Sequence, residues 1–454
     1  MPRVVMGLLF FPRGGSAQVV RYLSRSLPAA GWESSIACGS LGQEGEQSHA
    51  GTFFAGLDVH SLDYSASLEA DDPVAADPPF HPSYEDRPGA PDRVFASVGE
   101  PEYERLVDAW ARQLDRAGAR EADLLHLHHL TPINEAAERA FPGVPRVGHI
   151  HGTELAMVRA IDAGEGPPEW KYAAEWAERM RRWAGACERL FVLSPVGVEL
   201  VPGVLGVDAE KVVWSPNGFE PEYFQPHRKR GGDRVAHWKR WLVEDPLGWD
   251  ASGEPGTVRY RDEEMEAFAG DSRALIFSGR FTALKRIPLM IAAYAKASGR
   301  FNRRAPLVLL GGFPGEFEGP HPLEVIEQAG AGDVFLAGWR PHDQLGEGLN
   351  ASDALVLASA HEEFGQVVVE AMACGIPPIA ANAHGPGEIL DDGETGWLFT
   401  PDDEDDLAEA MVQAVNDDEE RERRGAAALE EARAHYSWPS IAKDVAAVYE
   451  TVLA

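Results

Sequence analysis

Short apolar runs alternate with helix-spaced apolar positions from one end of the chain to the other. Val4–Phe10 reads as a strand and is followed by a helical face of Val19, Val20, Leu23 and Leu27. A second helical face carries Tyr103, Leu106, Trp110 and Leu114, and strand-length runs follow at Leu124–Leu127, Val147–Ile150, Leu190–Leu193 and Val212–Trp214. A second series starts at Ala274–Phe277 and continues through Leu307–Leu310, Val334–Leu336, Leu355–Leu357 and Pro378–Ala381. Strands that alternate with helices in this way predict an α/β protein with doubly wound parallel sheets. The break between the series divides the chain into two Rossmann-like halves, 1–222 and 274–436, with an enlarged linker or insertion at 223–273.

Length agrees with that division, because 454 residues exceed one ordinary domain and suffice for two cores. A net charge of −32 disfavours nucleic acid or an anionic membrane surface as a partner. Cys38, Cys187 and Cys374 form no C-x-x-C and cannot all pair, which fits a reducing cytoplasm. The opening run is short and leads into Pro12-Arg13-Gly14-Gly15, so it reads as a first strand and not as a leader. No apolar run approaches membrane-spanning length, and no stable membrane insertion is expected. Two segments stand out from the regular alternation. Asp71–Glu100 is acidic and Pro-rich, with disorder expected in its first part. Its stretch HPSYEDRPG concentrates His81, Tyr84, Glu85, Asp86 and Arg87, a set suited to facing a small-molecule acceptor. The 225–273 insertion holds the basic cluster His227–Arg230 and Trp238, Trp241 and Trp249, and it reads as a subdomain or the base of a lid.

The densest chemistry follows the run that ends at Leu357. Glu362 and Glu370 are eight residues apart, with Val367, Val368 and Ala371 at helical core spacing and a stop at Gly375. Eight residues of helix rise about 12 Å, close to the span from a hexose to a ribose across a diphosphate. Two carboxylates so placed can accept hydroxyl hydrogen bonds from both sugars of a sugar nucleotide. Phe364, Gly365 and Gln366 open this helix, where backbone amides face outward. Arg280 and Lys285 follow the run that ends at Phe277, and two cations there can neutralise a leaving diphosphate. With such a clamp no divalent ion is needed. Gly14 and Gly15 follow the first strand and let backbone amides approach an oxygen closely. His126 and His128 share a strand face while His129 points away. No Cys or carboxylate completes a metal set, so strand-end packing is expected, with His129 at the acceptor.

HEEFGQVVVEAMACG resembles the E-x7-E signature of retaining glycosyltransferases of family 4, which have the GT-B fold. FFPRGG, HGTEL, SPNGF, GRFTALK and HGPGEILDDGETGWLF resemble that family's other segments and occur in its order. The resemblance implies two Rossmann-like domains facing across a cleft, the first for the acceptor and the second for the nucleotide sugar. It also implies that the last helix, Pro439–Leu453, crosses back, so that 437–454 completes the first domain. Glu362 would contact the donor hexose, Glu370 the ribose hydroxyls, and His151 the sugar near the reacting centre. Arg280 and Lys285 match the diphosphate clamp, and Trp339 and Arg340 stand where members hold the base. Trp339 reads either as a base platform or as a core residue. Glu363 replaces a usual glycine, and His384-Gly385 stands where Gly-Gly is common.

The expected activity is hexosyl transfer from a nucleoside-diphosphate sugar, UDP-glucose or UDP-N-acetylglucosamine first, to a small hydroxylated acceptor, with retention and no essential metal or other cofactor. A sugar-nucleotide epimerase of the same fold and a catalytically silent nucleotide-sugar binder are the alternatives. A homodimer is left open.

Overall fold

The computed structural model of the chain describes all residues except Arg13, 86–90, Ala360 and Glu363. Arg87 and Glu363 of the expected site therefore lie outside the described residues. The chain divides into two compact units, Met1–Asn217 with Trp438–Ala454, and Gly218–Ser437.

The first unit holds a parallel sheet of seven strands. They are β1 (Arg3–Leu8), β2 (Glu33–Ser40), β3 (Val59–Asp63), β4 (Leu124–His128), β5 (Arg146–Ile150), β6 (Arg189–Val192) and β7 (Val212–Trp214). Their order is β3-β2-β1-β4-β5-β6-β7, so the winding reverses between β1 and β4. The second unit holds six parallel strands in the order β10-β9-β8-β11-β12-β13. These are β8 (Leu275–Gly279), β9 (Leu307–Gly311), β10 (Val334–Gly338), β11 (Ala354–Leu357), β12 (Pro378–Ala381) and β13 (Trp397–Phe399). Its reversal falls between β8 and β11. Ligands of such sheets bind beyond the carboxyl ends of the strands that flank a reversal.

Three strands were absent from the apolar pattern. β2 reads ESSIACGS and is almost wholly buried, but its Ser, Gly and Ala carry little apolar signal. β3 is a half-exposed edge strand, and β13 has only three residues. The last helix, Trp438–Leu453, packs within the first unit. Its buried Trp438 stacks on Tyr22 at 6.0 Å, and Tyr449 meets the edge of Trp32 at 4.8 Å.

Residues 225–273 are neither a separate subdomain nor a lid, because they are built into the second unit. Trp238, Trp241 and Trp249 are at most 2% exposed in its core. Trp249 Nε1 donates to Gly312 O at 2.9 Å and Trp238 Nε1 to Ala351 O at 3.3 Å. Buried indoles bring large apolar area and need a partner for their N–H, which is why this polar-looking stretch folds inward. The basic cluster is absorbed as well: Arg228 pairs with Asp353, Arg230 with Glu422, and nearby Arg234 also with Asp353.

The expected disorder in the first part of Asp71–Glu100 is also corrected. Asp72 caps a short 3-10 turn at Pro73–Ala75, and Val74 and Phe80 are buried in the first unit's core. Two apolar anchors are enough to fix so short a Pro-rich stretch.

Candidate active site

In the second unit Arg280, Lys285, Glu362 and Glu370 lie in the segments that follow β8 and β11, and Trp339 and Arg340 follow β10. After β8, Arg280 is exposed and makes no ion pair among the described residues. Lys285 closes the 3-10 turn Ala283–Lys285 just before the helix Ile287–Ser298. After β11, Glu362 forms an ion pair with Lys285 in which both side chains are mostly buried. Gly385 N donates to Glu362 O at 2.9 Å, and a Cβ on Gly385 would stand 2.2 Å from Phe364 O. Glycine is therefore obligatory at that crossing. Gly365 caps the helix Gln366–Ala373 at φ 94°, a left-handed conformation that glycine adopts without strain. His384, which precedes Gly385, has φ 50° without being glycine, at the position where the sequence departs from Gly-Gly.

Glu370 lies inside that helix and is 2% exposed. Its Oε1 stands 2.7 Å from His342 Nε2 and accepts from Gln366 Nε2 at 3.1 Å. Gln366 Nε2 also donates to Gly218 O at 2.7 Å. His342 was not singled out in the sequence; its only signal there was its place a few residues beyond the β10 run.

Trp339 is 37% exposed and so is not a core residue. Its ring meets Phe313, itself 51% exposed, edge to face at 6.0 Å. These two aromatics follow β10 and β9 and form an open platform suited to a planar ligand. Arg340 is different: its guanidinium is buried, bound to Asp245 at 2.6 Å and stacked over Trp241. Only its backbone is left for a ligand.

In the first unit, Gly14 and Gly15 are exposed at the start of the helix Gly15–Ser26. A Cβ at either would meet nothing within 4 Å, so packing does not require glycine there. His151 follows β5, and its amide donates to Glu154 Oε1 at 3.0 Å. Glu154 is fully buried. Burial pushes its carboxyl up, but His129 and the hydrogen bonds from His129 and nearby amides outweigh that and leave it below its ordinary value. His129 has φ 65°, and its Nδ1 lies 3.3 Å from Glu154 Oε2. Glu154 was missed because its partner His129 comes from the end of a different strand.

His81 cannot face an acceptor. It is 0% exposed, stacked on Phe80 at 4.4 Å, with the Phe10, Phe11 and Tyr64 rings around it. Tyr84 is 7% exposed and donates through its hydroxyl to Leu130 O at 2.9 Å, leaning on Phe10 and His129. Both are drawn inward because an aromatic cluster fills the end of this sheet.

The histidines of β4 pack against those of β5 in one buried group. Parallel pairing sets His128 beside His149 of β5, and nitrogens of His126, His128 and His149 all lie within 4.8 Å of one another. His149 Nδ1 is 3.3 Å from His126 Nε2, and His128 Nδ1 is 3.1 Å from His151 Nε2. His126 Nδ1 is 2.5 Å from the Tyr449 hydroxyl. Burial, reinforced by neighbouring imidazoles, lowers all four from 6.5, His149 to about 3. They are neutral near pH 7. Two matching H-x-H steps, 126–128 and 149–151, were the signal that could have revealed the group.

Two doubly wound sheets, with cations and carboxylates beyond the strands that flank a reversal, have the architecture of a GT-B glycosyltransferase. Residues 13–223 match the family model for Glycosyltransferase Family 4, and residues 259–431 match that for Glycosyl transferases group 1. A D-inositol 3-phosphate glycosyltransferase of Stackebrandtia nassauensis is 30% identical over 339 residues, which cover 72% of this chain and 68% of the relative. Sucrose-phosphate synthase of Thermosynechococcus elongatus superposes with a TM-score of 0.68 at 18% identity, over 100% of this chain and 99% of that one. Anabaena HepE in complex with UDP-glucose gives a TM-score of 0.65 at 16% identity, over 99% of each chain. The chain belongs to the family 4 glycosyltransferases. Among the described residues no helix is long and apolar enough to cross a membrane.

Proposed function

We propose that this glycosyltransferase moves a hexosyl group from UDP-glucose or UDP-N-acetylglucosamine to a small hydroxylated acceptor with retention of configuration. The observation that carries this reading is the pairing of Lys285 with Glu362 beyond the ends of β8 and β11, with Arg280 in the same loop as Lys285 and Glu370 on the helix that follows Glu362. Arg280 and Lys285 stabilise the departing diphosphate, so no divalent ion is required there. Preorganised charges in such a site typically supply the largest share of the rate. Glu370 takes the ribose hydroxyls, Glu362 the hexose, the Phe313–Trp339 platform the base, and His151 the sugar near the reacting carbon. Retention proceeds by attack on the face the diphosphate leaves, with Glu362 assigned to the hexose hydroxyls and no other carboxylate placed as a nucleophile among the donor residues described above. The relative named for inositol 3-phosphate favours a phosphorylated acceptor, and the open amides at Gly14 and Gly15 suit such a group.

Incubation with each nucleotide sugar and inositol 3-phosphate or another polyol or sugar phosphate, followed by NMR of the product, tests this. An α-linked product is expected, with activity that survives EDTA. A new nucleotide sugar formed without acceptor would instead identify an epimerase. Activity abolished by chelator and restored by magnesium or manganese would contradict the proposed clamp.

A further inference from the structure

We propose that His126, His128 and His149 form a buried site for one divalent transition-metal ion, with zinc the first candidate, separate from the donor residues of the second unit. Two strands build it. His126 and His128 alternate onto one face of β4, and the register of β5 brings His149 alongside His128. All three are at most 2% exposed. The spacing fits an ion: two imidazole nitrogens bound tetrahedrally to zinc at about 2.0–2.1 Å stand roughly 3.3–3.4 Å apart, and His149 Nδ1 and His126 Nε2 are 3.3 Å apart.

The outward nitrogens are held as well. The Tyr449 hydroxyl fixes His126 Nδ1, and His151 Nε2 fixes His128 Nδ1. Both rings are thereby turned to offer Nε2, and partners of this kind orient ligating imidazoles in metal sites. His128 Nε2 is buried with no hydrogen-bond partner among the described residues, and so is His149 Nε2. A buried nitrogen left so is unfavourable, and an ion would use the first lone pair directly. His149 can ligate through either nitrogen. Three neutral imidazoles with no carboxylate among them suit zinc, copper or nickel and not magnesium or calcium. One tetrahedral position remains for water. A bound ion ties β4 to β5 and, through Tyr449, to the helix Trp438–Leu453.

The full chain is stripped with chelator, incubated with zinc chloride alone, desalted and assayed for metal. One equivalent of zinc is expected, with a raised thermal midpoint, and cobalt in its place should give the visible bands of a four-coordinate ion. His149→Gln and His128→Gln should lower retained zinc by about tenfold or more, while His435→Gln, at an exposed histidine, should retain it all. Folded wild type that holds less than about a tenth of an equivalent overturns the site and leaves hydrogen-bonded imidazole pairs. Undiminished zinc in His149→Gln overturns it too. Should both variants fail to fold, X-ray absorption of the zinc-loaded wild type decides: three imidazole scatterers support the site, and fewer refute it.

Discussion

The reversal between β8 and β11 and the reversal between β1 and β4 face the same demand, to hold polar groups at the end of a buried sheet. The second unit meets it with opposite charges: Lys285 against Glu362 and, after β10, Arg340 against Asp245. The first unit uses neutral rings, with His126, His128, His149 and His151 linked in pairs and to Tyr449. Charge suits a surface that must grip and release an anion. Neutral imidazoles cost little to bury and remain available as ligands or proton carriers. The two ends should therefore fail under different conditions.

Acid separates them most widely. A histidine whose folded pKa is depressed contributes stability that is complete above its unfolded value near 6.5 and is lost as pH falls toward the folded one. Each such imidazole costs up to about 1.4 kcal/mol per pH unit in that window. His126, His128, His149 and His151 are lowered in the first unit, and His237 and His321 in the second. On lowering the pH from 7 to 5, hydrogen exchange corrected for intrinsic rates should rise far more in β4 and β5 than in β8 and β11. Equal change in both sheets would dissolve the contrast.

The charged end should be the more sensitive to loss of a single cation. Lys285→Ala is expected to lower kcat/KM by about 3 kcal/mol while the melting temperature stays near wild type. Near-normal turnover in the folded variant would show that the clamp is assigned wrongly. A smaller and more selective effect is expected within the carboxylate pair. Glu370→Ala should weaken free UDP by about 1–2 kcal/mol, whereas Glu362→Ala should spare UDP and weaken the intact UDP-sugar. Calorimetric titration of both ligands against both variants checks this, and matching losses would remove the division of labour. The smallest effect belongs to the aromatic platform. Trp339→Ala should reduce UDP affinity by about 1 kcal/mol, and unchanged affinity would move the base elsewhere.

The same contrast explains what could be read in advance. Glu362 and Glu370 belong to one turn-and-helix segment, and Arg280 and Lys285 to one loop, so local spacing revealed them. The histidine group joins residues as far apart as His126 and Tyr449, 323 positions, through strand register and a returning helix. A linear pattern does not encode that register. The alternation of strands and helices exposed both sheets except where strands were built from small residues, as in β2, or lay at an edge, as in β3 and β13. Charge and proline content misled twice, at 71–85 and at 225–273, because a few buried anchors such as Phe80 and Trp238 outweigh a polar neighbourhood. His81 was misplaced for the same reason: a polar residue in a polar run is still buried when its neighbours in space are rings.

In the proposed reaction the contact between Lys285 and Glu362 would make donor binding an exchange of partners. There the diphosphate takes the ammonium from the carboxylate, and the carboxylate then needs a donor of its own. An intact nucleotide sugar provides one in its hexose hydroxyls, whereas the spent nucleoside diphosphate does not. Once the hexose has left, the carboxylate competes again for the ammonium and favours expulsion of the product. On that proposal a contact inside the resting site would set a bias between loaded and spent nucleotide, and turnover in a cell rich in free nucleoside diphosphate would depend on it.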